Sequence, residues 1–265
     1  MTDPKVTAAA LVIGDEILSG RTRDENIHEI ASLCTEVGIE LGEVRIVGDE
    51  QGQIIGAVND LRSKYDHVFT TGGIGPTHDD ITARAIAAAF GVDLPVSEEA
   101  KALIVAKYGE VDFTPEQLRM ARIPVGASLI ENIVSGAPGF KIENVYVMAG
   151  VPVIMRAMLE AIAPTLEGGR KMLSRAIDVG VGESRIARGL GKIQKQYDGV
   201  KIGSYPKMGE KPVYTQVVLR SCDALLLDEA AQKVQAMVDE IHRVQNIDLT
   251  IEPKSAKVKS ARELK

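Results

Sequence analysis

The chain of 265 residues contains no tryptophan, four phenylalanines and six tyrosines, so a surface that stacks single-stranded bases on aromatic platforms is not expected. Its two cysteines, Cys34 and Cys222, lie far apart and lack metal-ligand spacing, which excludes a disulfide framework and a zinc ribbon and favours a reducing, cytoplasmic setting. No apolar run has the length of a membrane span, and the first residues carry Asp3 without a signal-type apolar stretch behind it. Positive charge is not in excess either. Thirty-one Lys and Arg against 37 Asp and Glu give a net charge of −6, so neither nucleic acid nor an anionic membrane is an expected partner. What the chain does have is 45% apolar residues and 25 glycines, which describes an ordinary folded protein of one large domain or two.

The patterning predicts an α/β architecture. Ala8-Ala9-Ala10-Leu11-Val12-Ile13 is the continuous apolar run of a strand buried on both faces, and it ends in Gly14-Asp15-Glu16. Asp24 is placed to cap a helix whose Ile27, Ile30, Ala31, Cys34 and Val37 share a face, with Gly38 to terminate it. A second strand over 43–47 runs into Gly48-Asp49-Glu50 and a helix bearing Ile54, Val58 and Leu61. A third, 66–71, runs into residues 72–80 and an Ala-rich helix ending at Phe90. Three successive strand-helix units predict a mainly parallel sheet covered on both faces. Beyond them, 95–122 reads as helical, 124–147 as short strands with turns, and 152–162 as a helix opened by Pro152. The expected organisation is a domain over 5–168, a linker at Gly168-Gly169, a smaller α/β domain over 170–250 and a charged tail over 251–265. In the smaller domain, 176–181 and 213–220 read as strands and Val234, Met237, Val238 and Ile241 as one helix face.

In an open α/β sheet ligands bind beyond the carboxyl ends of the strands. Of the three strand ends, Gly72-Gly73-Ile74-Gly75 is the most informative, because three glycines in four residues allow close backbone approach and the next helix offers free N–H groups to an anion. No Gly-Lys-Ser/Thr follows and no Gly-x-Gly-x-x-Gly is present, which argues against a P-loop ATPase and a simple dinucleotide fold. Asp49, Asp79 and Asp80 are hard oxygen donors suited to a divalent cation (Mg²⁺, Mn²⁺ or Co²⁺) bridging carboxylate and phosphate. The spacing of Thr77 and Asp80 also matches a helix capping box. Asp15 and Glu16 suit loop solvation or capping as well as ligation, His78 suits a phosphate donor or an acid, and Arg21 and Arg23 suit solvated cations.

Taken together, Ile13-Gly14-Asp15-Glu16-Ile17-Leu18-Ser19-Gly20, Asp24 with Asn26, Val47-Gly48-Asp49, and the stretch from Thr71 to Thr82 resemble the molybdopterin-binding-like domain shared by CinA, MogA, MoaB and the N-terminal part of eukaryotic FAD synthase. Ala137-Pro138-Gly139-Phe140 and Gly150-Val151-Pro152 continue the likeness, and Gly182-Glu183-Ser184 and Ile202-Gly203-Ser204-Tyr205-Pro206 resemble the accessory region of CinA and FAD-synthase chains. The resemblance implies a three-layer α/β/α domain that binds a phosphorylated nucleotide or pterin, molybdopterin among them, through Gly14, Ser19, Gly72, Gly73, Gly75 and Thr77. It also implies self-association into a homo-oligomer. In MogA-like members the counterparts of Asp49 and Asp80 belong to the pterin site, whereas CinA and the FAD-synthase domain are associated with metal-dependent cleavage of diphosphates such as FAD and ADP-ribose. Three functions therefore stand open: a nucleotide pyrophosphatase with Asp49 and Asp80 catalytic, molybdopterin or adenylyl-molybdopterin handling, and a non-catalytic nucleotide-binding regulatory module.

Overall fold

A computed structural model describes residues 5–109, 114–207 and 214–245. The chain divides into two compact units, Met1–Lys171 and Met172–Lys265. The expected tail over 251–265 lies outside the described residues.

In the first unit β1 (Thr7–Ile13) leads through the single turn α1 (Asp15–Leu18) to α2 (Asn26–Val37), β2 (Glu40–Val47), α3 (Gln51–Lys64), β3 (His67–Thr71) and α4 (Thr82–Phe90). Then come α5 (Glu98–Tyr108), α6 (Pro115–Met120), the strands β4 (Ser128–Ile130), β5 (Gly139–Ile142) and β6 (Val145–Met148), and α7 (Pro152–Ile162). The sheet order is β2-β1-β3-β6-β5-β4, with the first four strands parallel and β5 and β4 antiparallel to their neighbours. This is the mainly parallel, doubly covered sheet that the strand-helix alternation predicts.

Alternation along the strands explains the layers. Ala9, Leu11 and Ile13 of β1, Val68 of β3, and Val145 and Val147 of β6 share one core with Ile54, Val58 and Leu61 of α3 and Ala85 and Ile86 of α4. Ala8, Ala10, Phe69, Tyr146 and Met148 face the other way, onto Ile30 and Cys34 of α2 and Met155, Met158 and Ile162 of α7. Cys34 is thus a core residue, and burial pushes its thiol up to about 12. Asp24 accepts the Ile27 N–H at 2.8 Å, and Gly38 closes α2 in the left-handed region at φ 78°, as the sequence signals predict.

Three expectations change. The stretch 95–122 is two separate helices, each with its own N-cap: Ser97 receives the Ala100 N–H, and Thr114 with Gln117 forms a capping box. Thr77 and Asp80 do not cap α4, which starts only at Thr82; instead Asp80 Oδ2 accepts both the Thr77 N–H (2.8 Å) and its hydroxyl (2.5 Å), closing a turn ahead of the helix. The acidic segment after β1 is a helical turn, α1, rather than a plain loop.

On edge strand β2, Glu43 binds Arg45 at 2.8 Å and Lys64 at 3.1 Å and accepts the Tyr65 hydroxyl at 3.1 Å. The Arg45 guanidinium, then Lys64, with a smaller share from Tyr65, hold its carboxyl down at about 2. Because the folded value lies below the ordinary 4.5, this cluster stabilises the fold above that pH and loses its contribution as pH falls from 4.5 toward 2. Glu43→Gln is expected to flatten the acid limb of a stability-versus-pH curve over that window; an unchanged limb in urea titrations would show that the cluster adds nothing there.

The second unit contains β7 (Leu173–Asp178), α8 (Glu183–Gln196), β8 (Lys201–Lys207), β9 (Tyr214–Ser221) and α9 (Ala224–Gln245). Its sheet is antiparallel, in the order β7-β9-β8, over a core of Val181, Ile186, Leu190, Val217, Leu219, Val234 and Val238. The strand expected over 176–181 begins earlier and ends at Asp178, which leaves Val179 and Val181 to lead into α8 as buried anchors. The Ser204 hydroxyl donates to Glu183 at 2.7 Å, so the two accessory motifs meet in space. Among the described residues no helix is long and apolar enough to cross a membrane.

Candidate functional site

The strand order places β1 between β2 and β3, so the connections leaving β1 and β3 part on opposite sides and open a crevice beyond their carboxyl ends. A cleft of about 570 Å³ lies there, lined by Gly72, Gly73, Ile74, Gly75, Pro76 and Asp80 and by Asn132, Ser135, Ala137 and residues 149–152. Tyr108, Met120, Val151 and Ile154 add apolar wall. The volume suits a nucleotide-sized ligand.

The glycine segment is shaped by contacts that admit no side chain. Gly72 has φ +106°, and a Cβ on it would lie 2.0 Å from the Ile13 carbonyl oxygen; one on Gly73, at φ +67°, would lie 2.3 Å from Thr82 Oγ1. Thr82, fully buried, donates its hydroxyl to the Gly72 carbonyl at 2.9 Å and its N–H to the Gly73 carbonyl at 3.0 Å. The loop is thereby tied to the first turn of α4. Among the described residues the Gly73, Ile74 and Gly75 N–H groups donate to no backbone carbonyl, which leaves three amides beside a helix N-terminus on the cleft wall.

Asp49 stands beside this loop, its Oδ1 3.7 Å from the Cβ position of Gly73. It is clasped to Asp15: the Asp15 N–H donates to Asp49 Oδ2 at 2.9 Å, and the Asp49 N–H donates to Asp15 Oδ1 at 3.3 Å. Burial, and then the carboxylates of Asp15, Glu16 and Asp79, push the Asp49 carboxyl above its ordinary value, against the pull of the Asp15 N–H. Glu50, next in sequence, is a cap: it accepts the Gly52 and Gln53 N–H groups at 2.9 and 2.8 Å.

The other expected residues divide. Gly72, Gly73, Gly75 and Asp80 line the cleft. Thr77 is exposed and spends its hydroxyl on Asp80, while Arg119 holds its carbonyl at 3.0 Å, so it shapes the loop from outside. Ser19 is exposed and donates to the Glu16 carbonyl at 3.3 Å; Gly14 is buried beneath the Glu16 carboxylate, and neither lines the cleft. Glu16 itself does. His78 is 95% exposed and approaches only Asp79, at 3.8 Å. Arg21 and Arg23 are exposed, as their loop reading predicts.

Among the described residues no group of three or more His, Cys, Asp or Glu is arranged to hold a metal ion. Asp49, Asp79 and Asp80 therefore form no ready-made cage, because Asp80 is engaged by Thr77 and Asp79 points to solvent. The donor chemistry fits a different arrangement, in which a hard cation takes one or two carboxylates and completes its shell from phosphate and water.

Sequence reasoning passed over Asn132. Buried, it donates to Ser135 Oγ (2.6 Å) and the Ala137 carbonyl (2.7 Å) and accepts the Val134 and Ser135 N–H groups, moulding this part of the cleft wall. Gly150 was legible only as part of a motif. In space, a Cβ there would lie 3.2 Å from Gly72 Cα.

A glycine loop, unbonded amides and acidic strand ends at the switch point of a mainly parallel sheet define an α/β domain with its cleft at the strand ends. Residues 9–168 match the family model described as a probable molybdopterin binding domain, and residues 171–246 match the middle domain of FAD synthase. The chain belongs to the molybdopterin-binding-domain family, in the two-part arrangement that its motifs resemble. It is 34% identical over 206 residues to protein Ta0487 of Thermoplasma acidophilum, covering 76% of this chain and 80% of that one. It is 31% identical over 241 residues to a probable FAD synthase of Caenorhabditis briggsae, covering 81% of this chain but 46% of the relative. A crystal structure of the protein CinA, of unknown function, from T. acidophilum superposes with TM-score 0.58 at 36% identity, covering 61% of this chain and 98% of its own.

Proposed function

We propose that the cleft binds a phosphorylated nucleotide and cleaves its diphosphate in a metal-dependent reaction, with FAD and ADP-ribose as the substrate type. The observation that carries this reading is the three unbonded amides of residues 73–75 together with Asp80 on the cleft wall, and Asp49, which does not itself line the cleft, against the same loop with its Oδ1 3.7 Å from the Cβ position of Gly73. The amides and the α4 N-terminus hold one phosphate; Tyr108, Met120 and Ile154 offer apolar wall to a heterocycle. Asp49, held in place by the Asp15 N–H, presents negative charge where a cation is needed to offset phosphate repulsion, and Asp80 keeps the loop closed over Gly75. A divalent ion shared by Asp49 and the diphosphate would polarise phosphorus or acidify water. The likeness to FAD synthase supports a flavin- or adenine-containing ligand.

The test is product analysis after incubation with FAD, ADP-ribose or NAD, each with Mg²⁺, Mn²⁺ or Co²⁺ and with chelator. Release of AMP and the partner monophosphate, abolished by chelator, is the expected result. No cleavage of any of them overturns the reading. The family description favours a second reading, molybdopterin binding, which would show as a pterin retained through purification. Tight nucleotide binding without turnover would instead mark a regulatory module.

A further inference from the structure

We infer that Asn26 is a ligand-reading residue: its Oδ1 accepts a hydrogen bond from a donor group, amine or hydroxyl, on the nucleotide in the cleft. This rests on the nucleotide-binding reading above and specifies which part of the ligand is read.

Asn26 opens α2 and is 5% exposed. Its Nδ2 donates to Thr71 Oγ1 at 2.8 Å and to the Gly150 carbonyl at 2.7 Å. Thr71 passes its own proton to the Ala149 carbonyl at 2.8 Å, so Thr71 Oγ1 must accept and the Asn26 amide has one orientation. That fixes Oδ1 as the acceptor left over. It is buried and meets no donor. Buried carbonyl oxygens are rarely left so, and each such case calls for a water, an ion or a ligand.

The space in front of Asn26 points to a ligand. A side pocket of about 50 Å³ adjoins it and shares Glu16, Thr22, Gly72 and Gly150 with the main cleft. That volume admits a single amino or hydroxyl group and excludes a ring. A heterocycle or sugar in the main cleft therefore projects one substituent into it. The pocket wall carries Glu16, Asp24 and Glu25 as acceptors and Thr22 and Arg23 as donors, so the preference for a donor rests on the unpartnered Asn26 Oδ1 itself. Because the same amide grips Thr71 and Gly150 on either side of the glycine loop, the reading oxygen is rigidly placed.

The experiment is calorimetric binding of ADP, inosine 5′-diphosphate, 2′-deoxy-ADP and 3′-deoxy-ADP to the intact protein in Mg²⁺ buffer. Inosine removes the exocyclic amine, and each deoxy compound removes one hydroxyl. The expected result is that one replacement weakens binding about tenfold while the others change it less than twofold, and that this preference disappears in Asn26→Ala. Should Asn26→Ala fail to fold, Asn26→Ser, which also lacks the amide oxygen, takes its place, and the preference is expected to disappear there. If all four ligands bind wild type within twofold, Oδ1 holds a water only and the inference is overturned while nucleotide binding stands. A preference that persists in Asn26→Ala also overturns it, since another residue then reads the donor. Absence of ADP binding removes the nucleotide reading and this inference together.

Discussion

Gly72→Ala is expected to cost about 3–4 kcal/mol of stability, near the upper end for a single methyl group. Two penalties coincide at this position. A φ of +106° lies outside what an alanine adopts without strain, and its Cβ would sit 2.0 Å from the Ile13 carbonyl oxygen, backbone that cannot swing aside. Relief requires β1 and the glycine loop to part, and both line buried strands. For a unit of this size the thermal midpoint should fall by about 10 °C. Gly20→Ala is the control: φ is +71° there as well, but the Cβ would meet nothing within 4 Å, so only the backbone penalty of about 1 kcal/mol applies. Equal midpoints for the two variants in a thermal melt would show that the strand ends yield easily.

Asp49→Asn is expected to lower metal-dependent kcat/KM about a hundredfold or more without unfolding the protein. The amide keeps the shape and retains an oxygen to accept the Asp15 N–H, but it removes the charge that attracts a hard cation. Its second effect has the opposite sign. Burial and the carboxylates of Asp15, Glu16 and Asp79 already disfavour an anion at Asp49, and a phosphate on the neighbouring amides would add to that repulsion. With chelator present, the variant should therefore bind ADP as tightly as wild type or tighter. Unchanged turnover removes Asp49 from the reaction; weaker binding in chelator shows that the side chain touches the nucleotide directly.

How far the sequence reached depends on how local each signal is. β1 was legible because seven consecutive residues are buried or nearly so, a demand that only a central strand makes on the chain. The glycine loop was legible from composition alone, three glycines in four residues, although the contacts that demand them come from Ile13, Thr82 and Asp80. Ser19 and Thr77 belong to motifs that do sit at the cleft, yet each turns its hydroxyl to a neighbour three residues along the chain, and no spacing rule says which way a side chain faces. The capping-box expectation was met only by half: Asp80 accepts the Thr77 N–H as a box requires, but the Thr77 hydroxyl donates to Asp80 instead of accepting the Asp80 N–H, and α4 starts only at Thr82. Asn26 was legible only as a motif residue, because its partners Thr71 and Gly150 lie 45 and 124 positions away, and Asn132, whose partners are its own loop neighbours, acquires its importance only from the strands that carry that loop to the cleft. Single asparagines carry no periodicity.

The pairing of β3 with β6 joins Val68 to Val145 and Thr71 to Met148 across the intervening α4, α5, α6 and β4–β5 segments. Among the strand pairings of the first unit this one spans the longest stretch of chain, so a long loop must close before the sheet gains from it. β1, β2 and β3 can pair as soon as they have left the ribosome, but the wall bearing Asn132, Ser135 and Gly150 arrives only with β4 to β6. A nascent or partly folded chain therefore has the glycine loop without the rest of the cleft. The cleft is complete only when the sheet is, so a ligand bound there would report a finished sheet.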